Sequence, residues 1–276
     1  MKEAERQHYS VLMSVYSKEK PEYLRLAMNS MWEQTVPTND FVLVADGPLN
    51  TALDSVIEEM QQKHKELHVI RLEQNQGLGN ALNIGLKVCR NEIICRMDSD
   101  DISNPDRCEK QLNVFSTMPD LSICSGTITE FTENINDISG KREVPELNEE
   151  IVIWSKKRNP FNHMATMFKK TDVEAVGSYS EQFHLFEDYH LWIRMLQAGY
   201  RGYNLQTSLV NARMPDEGYD RRGGAEYAKC MLKFHSWLLE TDWTKKGDYL
   251  TGALPHALVC VLPLNIRRMI YKRLHR

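Results

Sequence analysis

Between Tyr9 and Cys124, short apolar runs alternate with amphipathic helical patterns, and no other feature of the chain restricts its fold as much. Tyr9–Tyr16 is a run long enough for a buried strand and too short for a helix. From Pro21, Leu24, Ala27, Met28 and Met31 recur at helical spacing. Phe41–Ala45 is a second buried strand, stopped by the turn signal Asp46-Gly47-Pro48, and Leu53, Val56, Ile57 and Met60 mark a second helix. Leu67–Leu72, Leu78–Val88 and Glu92–Met97 then read as strand, helix and strand, followed by a helix from Pro105 to about Met118 and a strand near Leu121–Cys124. Four strand-helix units in succession predict an α/β fold with a mostly parallel central sheet covered by helices on both faces. Ligands of such sheets bind beyond the carboxyl ends of the strands, so the loops after Tyr16, Ala45, Leu72 and Met97 are the ones to inspect.

The later chain is less regular. Residues 127–150 are polar and mixed, and apolar segments resume at Ile151–Trp154 and Met164–Phe168. A helix is expected from near Phe186, with Tyr189, Trp192, Ile193 and Leu196 on one face and Gly199 closing it. Past Arg213 the alternation stops, and the remainder reads as helical, ending in the apolar stretch Gly252–Leu264 and a basic tail. This divides the 276 residues into a domain over 1–215, with halves of about 1–125 and 126–215, and a helical extension over 216–276.

Composition decides what the chain is not. A net charge of −4 provides no global basic field for nucleic acid, and 42% apolar with 26% charged residues is ordinary globular usage. The six cysteines (Cys89, Cys95, Cys108, Cys124, Cys230, Cys260) contain no CxxC pair, which argues against a zinc site or disulfide framework and for small core residues. The first residues lack the apolar core of a signal peptide, and no apolar run reaches 18 residues, so the expected setting is cytoplasmic.

The chemistry-bearing residues collect at the predicted strand ends. Asp98-Ser99-Asp100-Asp101 follows the fourth strand, and carboxylates so close repel one another unless solvent or a cation compensates them. Hard oxygen ligands of this kind suit Mg²⁺ or Mn²⁺, although the same acids also suit a helix N-terminus. Asp46 can accept hydrogen bonds from a nucleobase or ribose, or simply shape an Asp-Gly turn. Gly77-Leu78-Gly79 partly mimics a dinucleotide fingerprint, but Leu82 stands at the third glycine position; Asn75, Gly77 and Asn83 read better as shaping a loop that faces a nucleotide pocket. Glu187-Asp188 opens the Tyr189–Leu196 helix, where acids either complement the helix dipole or present a general base, with His163 and His190 as neighbours.

These stretches together resemble family 2 glycosyltransferases of the GT-A fold, of the bacterial exopolysaccharide or capsule type. The resemblance rests on SVLMSVYSKEKPEYLRLAMNSMWEQT, FVLVADGP, EQNQGLGNALNIGL, EIICRMDSDDISNPDR, HMATMFKK and FEDYHLWIRMLQAGY, in order over residues 9 to about 215, and on the later ARMPDEGYDRRGGAEY. It implies an inverting, metal-dependent transfer of a sugar from a nucleotide sugar, with a UDP-sugar as the leading expectation, to a glycan or lipid-diphosphate-linked acceptor. By the same resemblance Ser14 and Tyr16 flank the uracil and Asp46 holds its edge. Asp98 and Asp100, around Ser99, are the DxD acids, Asp100 the metal ligand with Asp98 beside it. Asp188 is the base, with Glu187 adjacent. The chain departs from the family pattern at Ala45, where an acid is frequent, and at Leu82, where an arginine is frequent before Asn83.

Asp101, His163, Arg213, Arg221 and Arg222 are further candidates for acceptor or phosphate contacts, the arginines as guanidinium forks in a basic, flexible patch. In the tail, Arg267, Arg268, Lys272, Arg273 and Arg276 alternate with Ile266, Met269, Ile270 and Leu274 without an acid, a pattern suited to peripheral contact with the inner face of the plasma membrane. Two other functions fit these residues less well. A sugar nucleotidyltransferase calls for a glycine-rich loop after the first strand, and SVYSKEKPEY has no glycine. A catalytically idle regulator does not call for intact Asp98, Asp100 and Asp188.

Overall fold

The computed structural model describes residues 7–214, 223–263, 266–267 and 269–270. Its centre is a nine-stranded sheet built from β1 (Tyr9–Val15), β2 (Asp40–Ala45), β3 (Leu67–Arg71), β4 (Ile93–Met97), β5 (Ile102–Ser103), β6 (Leu121–Phe131), β7 (Ile138–Arg142), β8 (Met167–Lys169) and β9 (Arg201–Arg213). The order is β3-β2-β1-β4-β8-β6-β9-β5, with β7 paired to β6. The first four strands in that order are parallel, as the strand-helix alternation requires. The parallel block ends at β8, which runs antiparallel to both β4 and β6.

Helices cover both faces. On one side lie α1 (Pro21–Trp32), α2 (Thr51–Lys63) and α4 (Arg107–Thr117), whose apolar stripes meet Val11, Met13, Phe41, Leu43, Cys95 and Met97. On the other lie α3 (Leu78–Val88), α5 (Asn148–Trp154), α6 (Lys170–Ala175) and α7 (Glu187–Gln197), packed on Leu12, Val42, Val44 and Ile94. Successive residues of a strand point to opposite faces, which separates these two cores. Five of the six cysteines are buried and all six are free, in keeping with thiols used as core residues.

Trp192 is fully buried and anchors α7, with the rings of Phe161, His163 and Phe168 at 5.7, 6.0 and 6.1 Å. The outer face of α7 is covered in turn by α8 (Ala225–Glu240) and α9 (Leu254–Cys260): Phe183, Phe186, Tyr189 and Ile193 pack with Ala228, Met231, Phe234, Leu238, Ala257 and Cys260. A helix held from both sides presents its N-terminal turn in a fixed place.

Three segments differ from the sequence expectation. The strand at Leu121 runs on to Phe131, and β9 forms where no strand was predicted; the two pair in parallel along their length. The polar stretch after Thr127 contains β7, a hairpin partner whose Ile138 is 66% exposed. A ladder satisfies backbone groups whatever the side chains are, so a solvated strand leaves little apolar signal. No helix among the described residues is long and apolar enough to cross a membrane.

Candidate active site

Asp46 sits just past β2, its N–H donating to the Val15 carbonyl at 2.8 Å, which puts it beside Ser14 and Tyr16 at the end of β1. Its carboxylate accepts the N–H groups of Gln76 (2.7 Å) and Gly77 (3.0 Å), and Asn75 Nδ2 donates to its carbonyl at 3.1 Å. Asp46 and Asn75 therefore tie the β2 end to the loop that starts α3. Gly47 makes this approach possible: φ is +88°, and a Cβ there would lie 2.6 Å from the Asn75 nitrogen. Asn83 has a bracing role. Its amide donates to Tyr179 O at 2.7 Å and accepts from Tyr179 N at 2.9 Å, fixing the chain before α7 against α3. Both positions that depart from the family pattern, Ala45 and Leu82, are sealed in the core.

The N-terminal ends of α3 and α7 meet at a pocket of about 170 Å³ lined by Gln76, Gly77, Gly79, Asn80, Glu181 and Glu187, among others. Gly79 sits at this junction, where a Cβ would meet Glu187 Cγ and Tyr179 Cβ in ordinary contact at 3.5 Å.

The acidic cluster follows β4. One ligand oxygen from each of Asp98, Asp100 and Asp101 lies within 4.8 Å of the others. Asp101 is buried, its Oδ1 accepting the Arg213 N–H at 2.7 Å, and burial followed by the charges of Asp100 and Asp98 pushes its carboxyl well above the usual range. Asp98 pairs with Arg96. Ser99 donates to Glu19 Oε2 at 2.6 Å, connecting the cluster to the loop after β1. Three carboxylates whose oxygens converge in this way are a donor set that fits a hard divalent cation.

Asp188, in the first turn of α7, accepts the Tyr189 N–H on Oδ1 and Asn159 Nδ2 on Oδ2, both at 2.7 Å. Burial raises its proton affinity, the two hydrogen bonds lower it, Glu187 raises it and Arg96 lowers it. The outcome is a carboxyl above its ordinary value, as suits a general base. His163 Nε2 is 2.8 Å from the Tyr179 hydroxyl, and burial, then Arg96, holds the imidazole well below its usual value, so it is neutral near pH 7. His190 points elsewhere, its ring against Phe183 and Trp237.

Arg213 overturns one expectation. It does not belong to a flexible patch: it is 6% exposed, donates to the carbonyls of Asp100 (3.1 Å) and Glu133 (3.1 Å), and lies 3.7 Å over the Tyr23 ring. It braces the acidic loop. Arg221 and Arg222 lie outside the described residues. The sequence reading missed Arg96, Asn159 and Glu19. Arg96 did leave a signal, as a charged residue in the otherwise apolar run of a central strand, Ile93–Met97.

Comparison with known proteins decides the family. The family model described as glycosyl transferase family 2 matches residues 10–177. The chain belongs to glycosyltransferase family 2. Among curated relatives, this family 2 enzyme is 35% identical over 268 residues to an Escherichia coli protein named UDP-Gal:alpha-D-GlcNAc-diphosphoundecaprenol beta-1,3-galactosyltransferase, covering 97% of this chain and 96% of the relative. It is 34% identical to the amylovoran biosynthesis glycosyltransferase AmsE of Erwinia amylovora, over 96% and 98% of the two chains. Its GT-A architecture is shared with a mannosyltransferase from Pyrobaculum calidifontis in complex with GDP-Man and Mn²⁺ (TM-score 0.65, 16% identity, 98% of this chain and 81% of that one). It is shared also with S. aureus TarS 1-349 in complex with UDP-GlcNAc (TM-score 0.61, 18% identity, 82% and 67%).

Proposed function

We propose that this glycosyltransferase moves a sugar from a UDP-sugar to a hydroxyl of a lipid-diphosphate-linked or growing surface glycan in a single inverting displacement. The observation that carries the reading is the convergence of the acidic cluster after β4, where one oxygen from each of Asp98, Asp100 and Asp101 lies within 4.8 Å of the others and Ser99 ties the loop to Glu19 beside the end of β1. The names of the two curated relatives support the acceptor class and the polysaccharide setting.

Asp98 and Asp100 are the residues that would hold Mn²⁺ or Mg²⁺, with Asp101 behind them. When bound, such an ion supplies Lewis-acid stabilisation of the charge that develops on the leaving diphosphate. The chain's own groups do the rest. Ser14, Tyr16 and the loop fixed by Asp46 and Asn75 receive the nucleoside, with Gly77 at its rim. Ser99, through Glu19, keeps the acidic loop in register with the β1 loop. Asp188 takes the proton from the acceptor hydroxyl as that oxygen attacks the anomeric carbon from the face opposite the leaving group. Asn159 and the Tyr189 N–H fix the direction in which the base points, and Glu187 lines the adjoining pocket.

A lipid-linked acceptor also calls for the enzyme to work at a bilayer surface, and one observation favours this. Leu250, Leu254, Leu258 and Val261 are 41–61% exposed along the helical segment leading through α9. Trp243, just ahead of that segment, donates Nε1 to Ser155 Oγ at 3.1 Å, and Ser155 adjoins a second pocket lined by Ile153, Trp154, Lys157 and Arg158. Apolar residues and a tryptophan beside cations match a membrane interface. Arg267 is not available for this contact, being 6% exposed with Nη1 donating to Cys260 O at 3.0 Å. Arg268, Lys272, Arg273 and Arg276 lie outside the described residues.

The donor is tested by a thermal-shift screen of UDP-, GDP- and dTDP-sugars with and without Mn²⁺, since binding to the native state raises the melting temperature by mass action. A UDP-sugar is expected to stabilise most, and only with the metal. Stabilisation by GDP- or dTDP-sugars alone would overturn the UDP assignment.

A further inference from the structure

Lys156-Lys157-Arg158, directly after α5, is the one run of three consecutive cations in the sequence. The N–H groups of Lys157 and Arg158 both donate to the Trp154 carbonyl, at 3.0 and 3.1 Å, so the helical winding continues for a turn beyond α5, until Pro160, which has no N–H to carry it further. That winding brings Lys157 and Arg158 beside Ile153 and Trp154, and the four line a pocket of about 380 Å³. Ile153 is 68% exposed, and the Arg158 guanidinium lies 5.4 Å from the centre of the Trp154 ring. Other surface arginines are paired: Arg25 with Glu59, Arg71 with Asp54, Arg90 with Asp40 and Arg142 with Glu130. Among the described residues, Lys156, Lys157 and Arg158 have no carboxylate partner. Cations complement a helix C-terminus, which accounts for positive charge here but not for an exposed isoleucine and tryptophan against it. Positive charge and hydrocarbon left open together fit an amphiphile with an anionic head.

The same turn runs into the candidate base. Ser155 is held from two sides, its carbonyl accepting the Tyr189 hydroxyl at 2.7 Å and its Oγ accepting Trp243 Nε1–H at 3.1 Å. Asn159, next to Arg158, donates Nδ2 to Asp188 Oδ2 at 2.7 Å. The order along the chain is therefore an apolar pair, the cations, and the partner of the base. An acceptor built as hydrocarbon, diphosphate and sugar has the same order. We infer that Lys157 and Arg158 bind the diphosphate of a lipid-diphosphate-linked acceptor, with Ile153 and Trp154 receiving the start of its hydrocarbon chain, so that the sugar hydroxyl is brought to Asp188. This rests on the reading of the acceptor as lipid-diphosphate-linked and of Asp188 as base. The guanidinium fork matches two phosphate oxygens at once, and the lysine adds a point charge beside it.

The test is the calorimetric affinity of the full chain for farnesyl diphosphate, a prenyl diphosphate without a sugar, with the donor site saturated by UDP and folding established by circular dichroism. The wild type is expected to bind this probe, and Lys157→Gln combined with Arg158→Gln to weaken binding at least about tenfold. Trp154→Ala is expected to weaken binding of farnesyl diphosphate and not of inorganic diphosphate; unchanged affinity for the prenyl probe removes the hydrocarbon contact. No binding by the wild type overturns the proposal, and so does equal affinity in the folded double variant. If that variant keeps its affinity for the probe yet loses co-flotation with phosphatidylglycerol vesicles, the cations meet bilayer headgroups instead. The acceptor reading is checked separately, by transfer of labelled sugar, from the donor found in the thermal-shift screen, to lipid-diphosphate-linked glycan extracted from membranes. Absence of transfer by the wild type overturns that reading, and with it this role for the patch, even where the probe binds. Transfer with the same acceptor KM in the wild type and the double variant overturns the present inference alone.

Discussion

Replacing Asp188 with asparagine changes one oxygen to an NH₂ group and removes the charge that a base needs. The carboxylate accepts from Asn159 Nδ2 and from Tyr189 N, each at 2.7 Å. An asparagine retains one acceptor for these two donors, so one hydrogen bond to a charged group is lost, worth about 1.5–3 kcal/mol. Against this, burial disfavours the ionised carboxylate, and the neutral amide relieves that penalty. The two effects oppose, and stability is expected to change by about 1 kcal/mol or less. Turnover behaves differently. Loss of general-base catalysis removes about 10²–10⁴ in rate, which at 1.36 kcal/mol per decade is roughly 3–5 kcal/mol on the barrier. Sugar-dependent UDP release measures kcat, and calorimetry measures UDP affinity, which is expected to be unchanged. A folded Asn variant with kcat within about tenfold of wild type refutes the assignment. The pH dependence has a definite sign. Because the folded-state pKa lies above the unfolded one, wild-type stability rises as pH falls through the raised value, while kcat falls; neither change is expected in the Asn variant.

Three further outcomes follow from the geometry. Asp100→Ala, leaving two carboxylates of the converging three, is expected to weaken Mn²⁺ binding at least tenfold, about 1.4 kcal/mol, in a metal titration followed by tryptophan fluorescence; an unchanged curve counts against metal ligation. Gly47→Ala forces a Cβ onto the Asn75 nitrogen at a left-handed φ, so a loss of about 1–3 kcal/mol in chemical denaturation and a raised KM for the donor are expected. Leu254→Glu with Leu258→Glu is expected to reduce co-flotation with anionic vesicles while donor hydrolysis in solution is retained; undiminished flotation removes the membrane reading.

How much of this was legible in the sequence depended on whether a residue's role was written locally. The helices α1 and α2 came from spacing, because each buries one stripe on a sheet, and the stripe residues Leu24, Met28, Leu53, Ile57 and Met60 are all buried. The acidic cluster was visible because its members adjoin in the chain. The β6–β9 pairing was not, since both strands pass through polar residues and their partners are 80 positions apart, as at Leu121 and Arg201. Arg213 reads in the sequence as one fork of a flexible basic patch, because nothing nearby in the chain announces Tyr23 or the Asp100 carbonyl. Asn159 carries no motif at all; only the fold sets it against Asp188.

The helix that carries Asp188 is clasped between the sheet on its inner side and α8 and α9 on its outer side. Deleting everything after Arg213 would spare every acid of the site yet strip away the outer wall that keeps the proton acceptor aimed. Shortened versions of this enzyme should accordingly be judged by turnover as well as by nucleotide affinity, since the two properties are anchored in different parts of the chain.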